Sequence, residues 1–275
     1  MAGIDRLGWA EGITFTTYGV RAGVRLSRSG ALEAVRGRLP PDAKPARGSR
    51  VARLYSLVLG GAGPQPHVRL FHVLYADAAR VARTLELEHA LDALESDLQL
   101  YVAEAAPRHL FVHAGVVAWH GRAIVMPGRS LSGKTSLVAA LVRAGATYYS
   151  DEYAVLDGRG RVHPYARPLG VRENGPHARA TKRPVETLGG RAGTRPLPVA
   201  LVLASEYRPG ARWRPKALSA AEGALELLAH TVAVRRDPQR TLSVLQRAVS
   251  GAELLRGVRG EAASCAEHLL SRLAG

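Results

Sequence analysis

Pro127-Gly-Arg-Ser-Leu-Ser-Gly-Lys-Thr-Ser136 is the stretch whose reading decides the fold. Gly128, four residues, and then Gly133, Lys134 and Thr135 satisfy the phosphate-loop pattern. The glycines let the backbone curl until successive N–H groups point inward at phosphate oxygens, and the lysine adds a mobile cation. The threonine hydroxyl is placed to ligate magnesium. The candidate phosphate-binding residues are therefore Gly128, Arg129, Ser130, Leu131, Ser132, Gly133, Lys134, Thr135 and Ser136.

The flanks give the string its context. Gly121-Arg-Ala-Ile-Val-Met126 reads as a short buried strand, and Leu137-Val-Ala-Ala-Leu-Val-Arg143 has apolar residues at helical spacing, ended by Gly145. A helix beginning near Lys134 aims its unpaired N–H groups and positive dipole end at the same phosphates.

Further out, the chain sorts into three regions. Residues 1–84 are strand-rich: Gly12–Val20, Ala22–Leu26, Arg50–Val58 and His67–Leu74 have alternating or β-branched character, with Pro40-Pro41 and Gly60–Pro66 as loops. From about Asp77 to Ala106 the pattern turns helical through Leu85, Leu87, Leu91, Leu94 and Leu98. Residues 85–106 are accordingly read as a helical connector, stopped by Pro107. Residues 107–275 hold the phosphate loop. Here His109–His120 is an apolar run broken by Gly115 and followed by His120-Gly121, read with the next segment as two strands joined by a tight turn. Ala146–Leu156 reads as one strand with Asp151 and Glu152 at its middle. Arg172–Pro198 reads as a long surface loop, Val199–Ala204 as a strand, and Ser219–Leu273 shows helical spacing through Leu225, Leu227 and Leu228, then Leu242, Val244 and Leu245, then Leu269, Leu270 and Leu273. The expected class is α/β, with a mixed sheet and flanking helices beside a small N-terminal β-rich region.

Composition narrows the partners. The formal charge is +15, carried almost wholly by arginine, since lysine occurs only at positions 44, 134, 182 and 216. Such a chain attracts anions. Aromatics are scarce and no zinc-finger, helix-turn-helix or stacking pattern appears, which argues against nucleic acid. The single cysteine, Cys265, excludes an internal disulfide and points to a reducing compartment. No apolar run approaches the roughly 20 residues that cross a bilayer, so the expectation is a cytoplasmic protein away from the membrane. A homo-oligomer is compatible with the sequence.

Adjacent carboxylates in an apolar setting are costly unless a metal or a proton-transfer role holds them. His113 lies fifteen residues before Gly128 and Asp151 seventeen after Lys134. On Val112-His-Ala-Gly-Val-Val117, Gly128–Thr135 and Ala144-Gly-Ala-Thr-Tyr-Tyr-Ser-Asp-Glu152, the chain resembles the catalytic domain of the HPr kinase/phosphorylase family, whose fold is shared with phosphoenolpyruvate carboxykinase. The resemblance covers roughly residues 108–165. It implies a kinase that uses ATP and Mg2+, with Lys134 on the phosphates, Asp151 as general base toward a serine hydroxyl, and His113 assisting. It further implies Thr135 and Glu152 on the metal side, with the roles of Asp151 and Glu152 open to exchange. Arg167 and Arg172 stand where the family has a phosphate- or substrate-contacting arginine segment. The family has two aspartates where this chain has Asp151-Glu152, and its longer C-terminal motif for phosphorolysis and HPr recognition has no counterpart here. The chain resembles more closely a divergent group that accompanies ribosomally made peptides, including lasso peptides, some of which phosphorylate peptide serines. The implied acceptor is thus a serine of a peptide or small protein. The rival readings are an ordinary ATPase or GTPase and a non-catalytic nucleotide-binding regulator.

Overall fold

The computed structural model describes residues 4–62, 65, 67–129, 132–171 and 181–273. The chain divides into two compact units, Met1–Pro107 and Arg108–Gly275. Both are mixed α/β.

The first unit contains β1 (Glu11–Thr17), β2 (Val20–Leu26), α1 (Leu32–Arg36), β3 (Lys44–Pro45), β4 (Arg53–Val58), β5 (Gly61–Ala62), β6 (Arg69–Leu70), β7 (His72–Ala76), β8 (Ala79–Thr84) and α2 (Leu87–Ala105). Six strands form one sheet in the order β3-β1-β2-β4-β7-β8. Tyr18 and Gly19, with φ of 46° and 81°, turn β1 into β2 in the two-residue geometry that matches strand twist. Helix α2 packs on β7 and β8 and buries Leu91, Leu94, Leu98 and Val102, while Tyr55 on β4 donates its hydroxyl to Asp97 at 2.6 Å.

Two sequence expectations change here. The helical reading from Asp77 holds only from Leu87, because Ala79–Thr84 pairs with β7 as a strand. Its alanine and arginine content favours helix, and cross-strand pairing overrides it. The expected strand His67–Leu74 is divided at Phe71 into β6, which pairs with β5, and β7, which pairs with β4 and β8.

The second unit contains β9 (Leu110–Trp119), β10 (Arg122–Pro127), α3 (Lys134–Arg143), β11 (Thr147–Ser150), β12 (Tyr153–Leu156), β13 (Val162–His163), β14 (Leu169–Val171), β15 (Thr181–Arg183), β16 (Val199–Tyr207), β17 (Lys216–Ala217), α4 (Ala220–Leu228), α5 (Pro238–Val249), β18 (Glu253–Arg259) and α6 (Ala262–Arg272). Its main sheet runs β13-β12-β9-β10-β16-β18-β17, with β11 also paired to β9. Strands β10, β16 and β18 are mutually parallel, and β9 is antiparallel to β10. One face packs Val112, Val116 and Val125 with Leu227 of α4 and Leu245 of α5; the other packs Val117, Ile124 and Leu201 with Leu137 of α3 and Leu269 of α6. Alternate residues of β9 and β10 thus feed two cores, which is why both strands read as continuous apolar runs.

The strand before and the helix after the phosphate-loop pattern form in the expected order. His120 and Gly121, at φ of 46° and 74°, make the turn from β9 to β10, and β9 runs straight through Gly115. A Cβ at Gly115 would meet Val138 Cγ2 at 2.7 Å, so this glycine lets α3 lie close on the strand. Helix α3 buries Leu137, Val138, Leu141 and Val142, each side chain worth about 1.5–3 kcal/mol of hydrophobic stabilisation. It ends as Ala146 N–H and Gly145 N–H bond back to Leu141 and Val142, with Gly145 at φ 100°.

Three more expectations are corrected. Ala146–Leu156 is two strands, broken at Asp151-Glu152, because the buried Ser150 Oγ accepts the N–H groups of Glu152 and Tyr153 and turns the chain. The long loop contains β15, paired with β14, and a short 3-10 turn at Val185–Leu188. The C-terminal region is not wholly helical, since β18 lies within it as an interior strand of the sheet. No helix among the described residues is long and apolar enough to cross a membrane.

Candidate functional site

The site forms where β10 ends and α3 begins. Gly133 caps the helix at φ 82°, a left-handed conformation that favours glycine. Lys134 folds its ammonium onto its own loop, donating to the carbonyls of Gly128 at 2.8 Å and Arg129 at 2.5 Å. Ser132 lies against Gly128, where an added Cβ would come within 2.8 Å of its Oγ. Ser130 and Leu131 lie outside the described residues. Burial lowers the proton affinity of Lys134, and the charges of Asp151 and Glu152 act in the opposite direction.

Asp151 sits at the break after β11 and faces the first turn of α3. Its Oδ2 accepts from the Thr135 hydroxyl at 3.4 Å and from Gly170 N–H at 3.4 Å, and its Oδ1 accepts from the Tyr148 hydroxyl at 2.9 Å. Burial pushes the Asp151 carboxyl above the ordinary carboxylate range; the hydrogen bonds from Tyr148, Gly170 and Thr135 pull it part of the way back. Glu152 is fixed through its backbone, its N–H on Ser150 Oγ and its carbonyl accepting from Ala114 N–H at 3.1 Å. The Gly128–Thr135 segment, a hydroxyl and two carboxylates thus converge at the end of β10.

His113 is joined to the loop by its main chain. Its carbonyl accepts from Gly128 N–H at 3.2 Å and its N–H donates to the His230 carbonyl at 2.8 Å. Its ring lies on Tyr153 with centroids 4.7 Å apart. Burial lowers the His113 pKa first, then the charges of Lys134 and His230. For His230 the causes are burial, then Lys134 and Arg129. Both imidazoles are thus held below the ordinary histidine value, with the Lys134 ammonium acting on each.

Of the arginines read from sequence, Arg167 contributes its carbonyl, which accepts from the Tyr148 hydroxyl at 2.9 Å, and Arg172 lies outside the described residues. Among the described residues no group of three or more His, Cys, Asp or Glu is arranged to hold a metal ion. What the site offers is an oxygen set, the Thr135 hydroxyl with the Asp151 and Glu152 carboxylates. That suits magnesium, which is commonly held by one or two carboxylates together with substrate phosphates.

The sequence takes His230, in Leu227-Leu-Ala-His-Thr231, for a helix residue facing a pocket rim, and gives Arg259 no role. His230 follows α4 and joins the site because Thr231 and Val232 pair with Val112 and Phe111 of β9. Arg259, at the end of β18, is 2% exposed and donates from Nη2 to the Gly133 carbonyl at 2.8 Å. The available signal is Leu254, Leu255 and Val258 in a strand-length segment bounded by Gly251 and Gly260. No protein-family model matches the chain, and no curated protein matches it at a significant level.

Proposed function

We propose that the chain is an ATP- and Mg2+-dependent kinase that transfers the γ-phosphate to a hydroxyl, most simply a serine of a peptide or small protein. The second unit is then a phosphate-loop nucleotide-binding domain of the HPr kinase/phosphoenolpyruvate carboxykinase type. The observation that carries this reading is the Thr135–Asp151 contact directly beside Lys134. It sets a proton acceptor against the loop that would hold the phosphate donor.

In this reading the loop N–H groups and Lys134 hold the β- and γ-phosphates, Lys134 exchanging its two loop carbonyls for phosphate oxygens. Magnesium, when bound, supplies charge neutralisation on those phosphates, and Thr135 with Glu152 would hold it. The acceptor oxygen forms its bond to the γ-phosphorus as the bond to the β-phosphate oxygen breaks. Asp151 takes the acceptor's proton. Its raised proton affinity suits a general base better than an ordinary surface carboxylate would. The His113 imidazole can orient the incoming hydroxyl through a hydrogen bond.

The test is incubation with γ-labelled ATP, Mg2+ and serine-containing peptides. Label on peptide serine supports the kinase. Release of all label as inorganic phosphate, with none on peptide, supports the ATPase reading instead.

A further inference from the structure

Arg259 plays no part in the chemistry above, yet it is among the largest fully buried side chains of the protein. Nη2 donates to the Gly133 carbonyl at 2.8 Å and Nη1 to the Gly260 carbonyl at 3.1 Å, while Nε has no partner among the described residues. Among the described residues no carboxylate lies within ion-pair reach of it. Glu261 acts on it only at longer range, and its carboxylate accepts the Tyr207 hydroxyl proton at 3.1 Å. The Tyr207 ring stands 5.3 Å from the guanidinium carbon. Such a charge is expensive to bury unless something compensates it.

Among the described residues the Gly133 carbonyl has two donors, Arg259 and Leu137 N–H at 3.2 Å. In a trans peptide the N–H points opposite to the C=O. Fixing the Gly133 oxygen therefore fixes the Lys134 N–H, directing it out of the helix start toward the loop. Two donors on one carbonyl also polarise the peptide and strengthen that N–H as a donor. Gly133 is favoured here by its φ of 82°, and an added Cβ would meet Arg259 Nη2 at 2.5 Å, so the guanidinium would have to shift.

We infer that Arg259 is a positioning residue for phosphate binding: it holds and polarises the Gly133–Lys134 peptide from behind the loop, and its uncompensated charge is balanced when a polyphosphate enters. This rests on the reading of Gly128–Thr135 as a phosphate site. It distinguishes Arg259 from an arginine that merely fills the core. A filling residue adds to the stability of the ligand-free protein and leaves affinity alone, whereas this one costs the ligand-free protein charge burial that the ligand relieves.

The experiment measures tripolyphosphate and ATP binding by calorimetry at several salt concentrations, with melting temperatures of the ligand-free proteins. Arg259→Met is expected to melt no lower than wild type, to bind tripolyphosphate about tenfold or more weakly, and to show a flatter salt dependence. Arg259→Lys keeps the charge but cannot bond two carbonyls in a fixed fork. It should bind with a smaller loss and an unchanged salt dependence, and it carries the test alone if Arg259→Met does not fold. Affinity within twofold of wild type in the folded variants overturns the inference. Absence of tripolyphosphate and ATP binding by wild type overturns the phosphate-site reading itself, a result distinguishable from the first.

Discussion

The Thr135 hydroxyl donates to Asp151 Oδ2 at 3.4 Å, joining the first turn of α3 to the break between β11 and β12. Two segments seventeen residues apart from Lys134 to Asp151 meet there because β11 returns along β9 after α3 has crossed it.

Lys134→Met removes the cation that Asp151 and Glu152 face. Charge-assisted hydrogen bonds contribute about 1.5–3 kcal/mol each, so ATP should bind roughly ten- to a hundredfold more weakly. Burial already disfavours the charged lysine, so the ligand-free variant should melt at or above the wild-type temperature. Calorimetric titration and a melting curve check both.

Tyr148→Phe deletes the hydroxyl whose single proton is shared between Asp151 Oδ1 and the Arg167 carbonyl, each at 2.9 Å. Leaving those acceptors short of a donor should cost about 1–3 kcal/mol of stability. The carboxylate loses one of its restraints, so kcat should fall about tenfold with ATP affinity nearly unchanged. Denaturant melts and steady-state kinetics report the two effects separately.

Gly133→Ala forces a Cβ into left-handed backbone at about 1–2 kcal/mol and drives it against Arg259. Lower stability and weakened nucleotide binding should appear together in this variant. Gly160→Ala is the control: its Cβ would strike the Arg247–Ala248 backbone, so stability should fall with nucleotide binding intact.

His113 and His230 are bases whose folded pKa values lie below the ordinary histidine value. The unfolded chain therefore binds their protons more readily than the folded one. Their contribution is fully present above the unfolded pKa of about 6.5 and is lost as pH falls toward the folded values. The melting temperature should drop as pH is lowered below about 6.5, and His113→Gln with His230→Gln should flatten that drop. A melt series between neutral pH and the onset of carboxylate titration measures it.

The loop and its flanks were legible because local chemistry dictates them: the glycine spacing, the apolar run before and the helical spacing after are all contiguous. Asp151 and Glu152 were legible as an odd pair, although their place at a strand break depended on Ser150 Oγ capturing two N–H groups, which their own types do not announce. What was hidden was non-local. In β18, Leu254 and Leu255 suit a helix as well as a strand, and only pairing with β16 decides between them. Arg259 and His230 reach the loop from 126 and 97 residues beyond Gly133, counted along the chain, through that same pairing and through the bridge of Thr231 to β9. Ala79–Thr84 was read as helix for the same reason, since its partner β7 supplies the preference its composition lacks.

The most direct test of the central claim is Asp151→Asn, measured for ATP affinity and for transfer of γ-label to a serine peptide that wild type modifies. The account predicts ATP affinity within a few-fold of wild type and transfer reduced by at least about a hundredfold, the lower end of what a positioned base contributes. The ligand-free variant should melt no lower than wild type, because burial opposes the carboxylate charge. Transfer at the wild-type rate would contradict the assignment of Asp151 as the base.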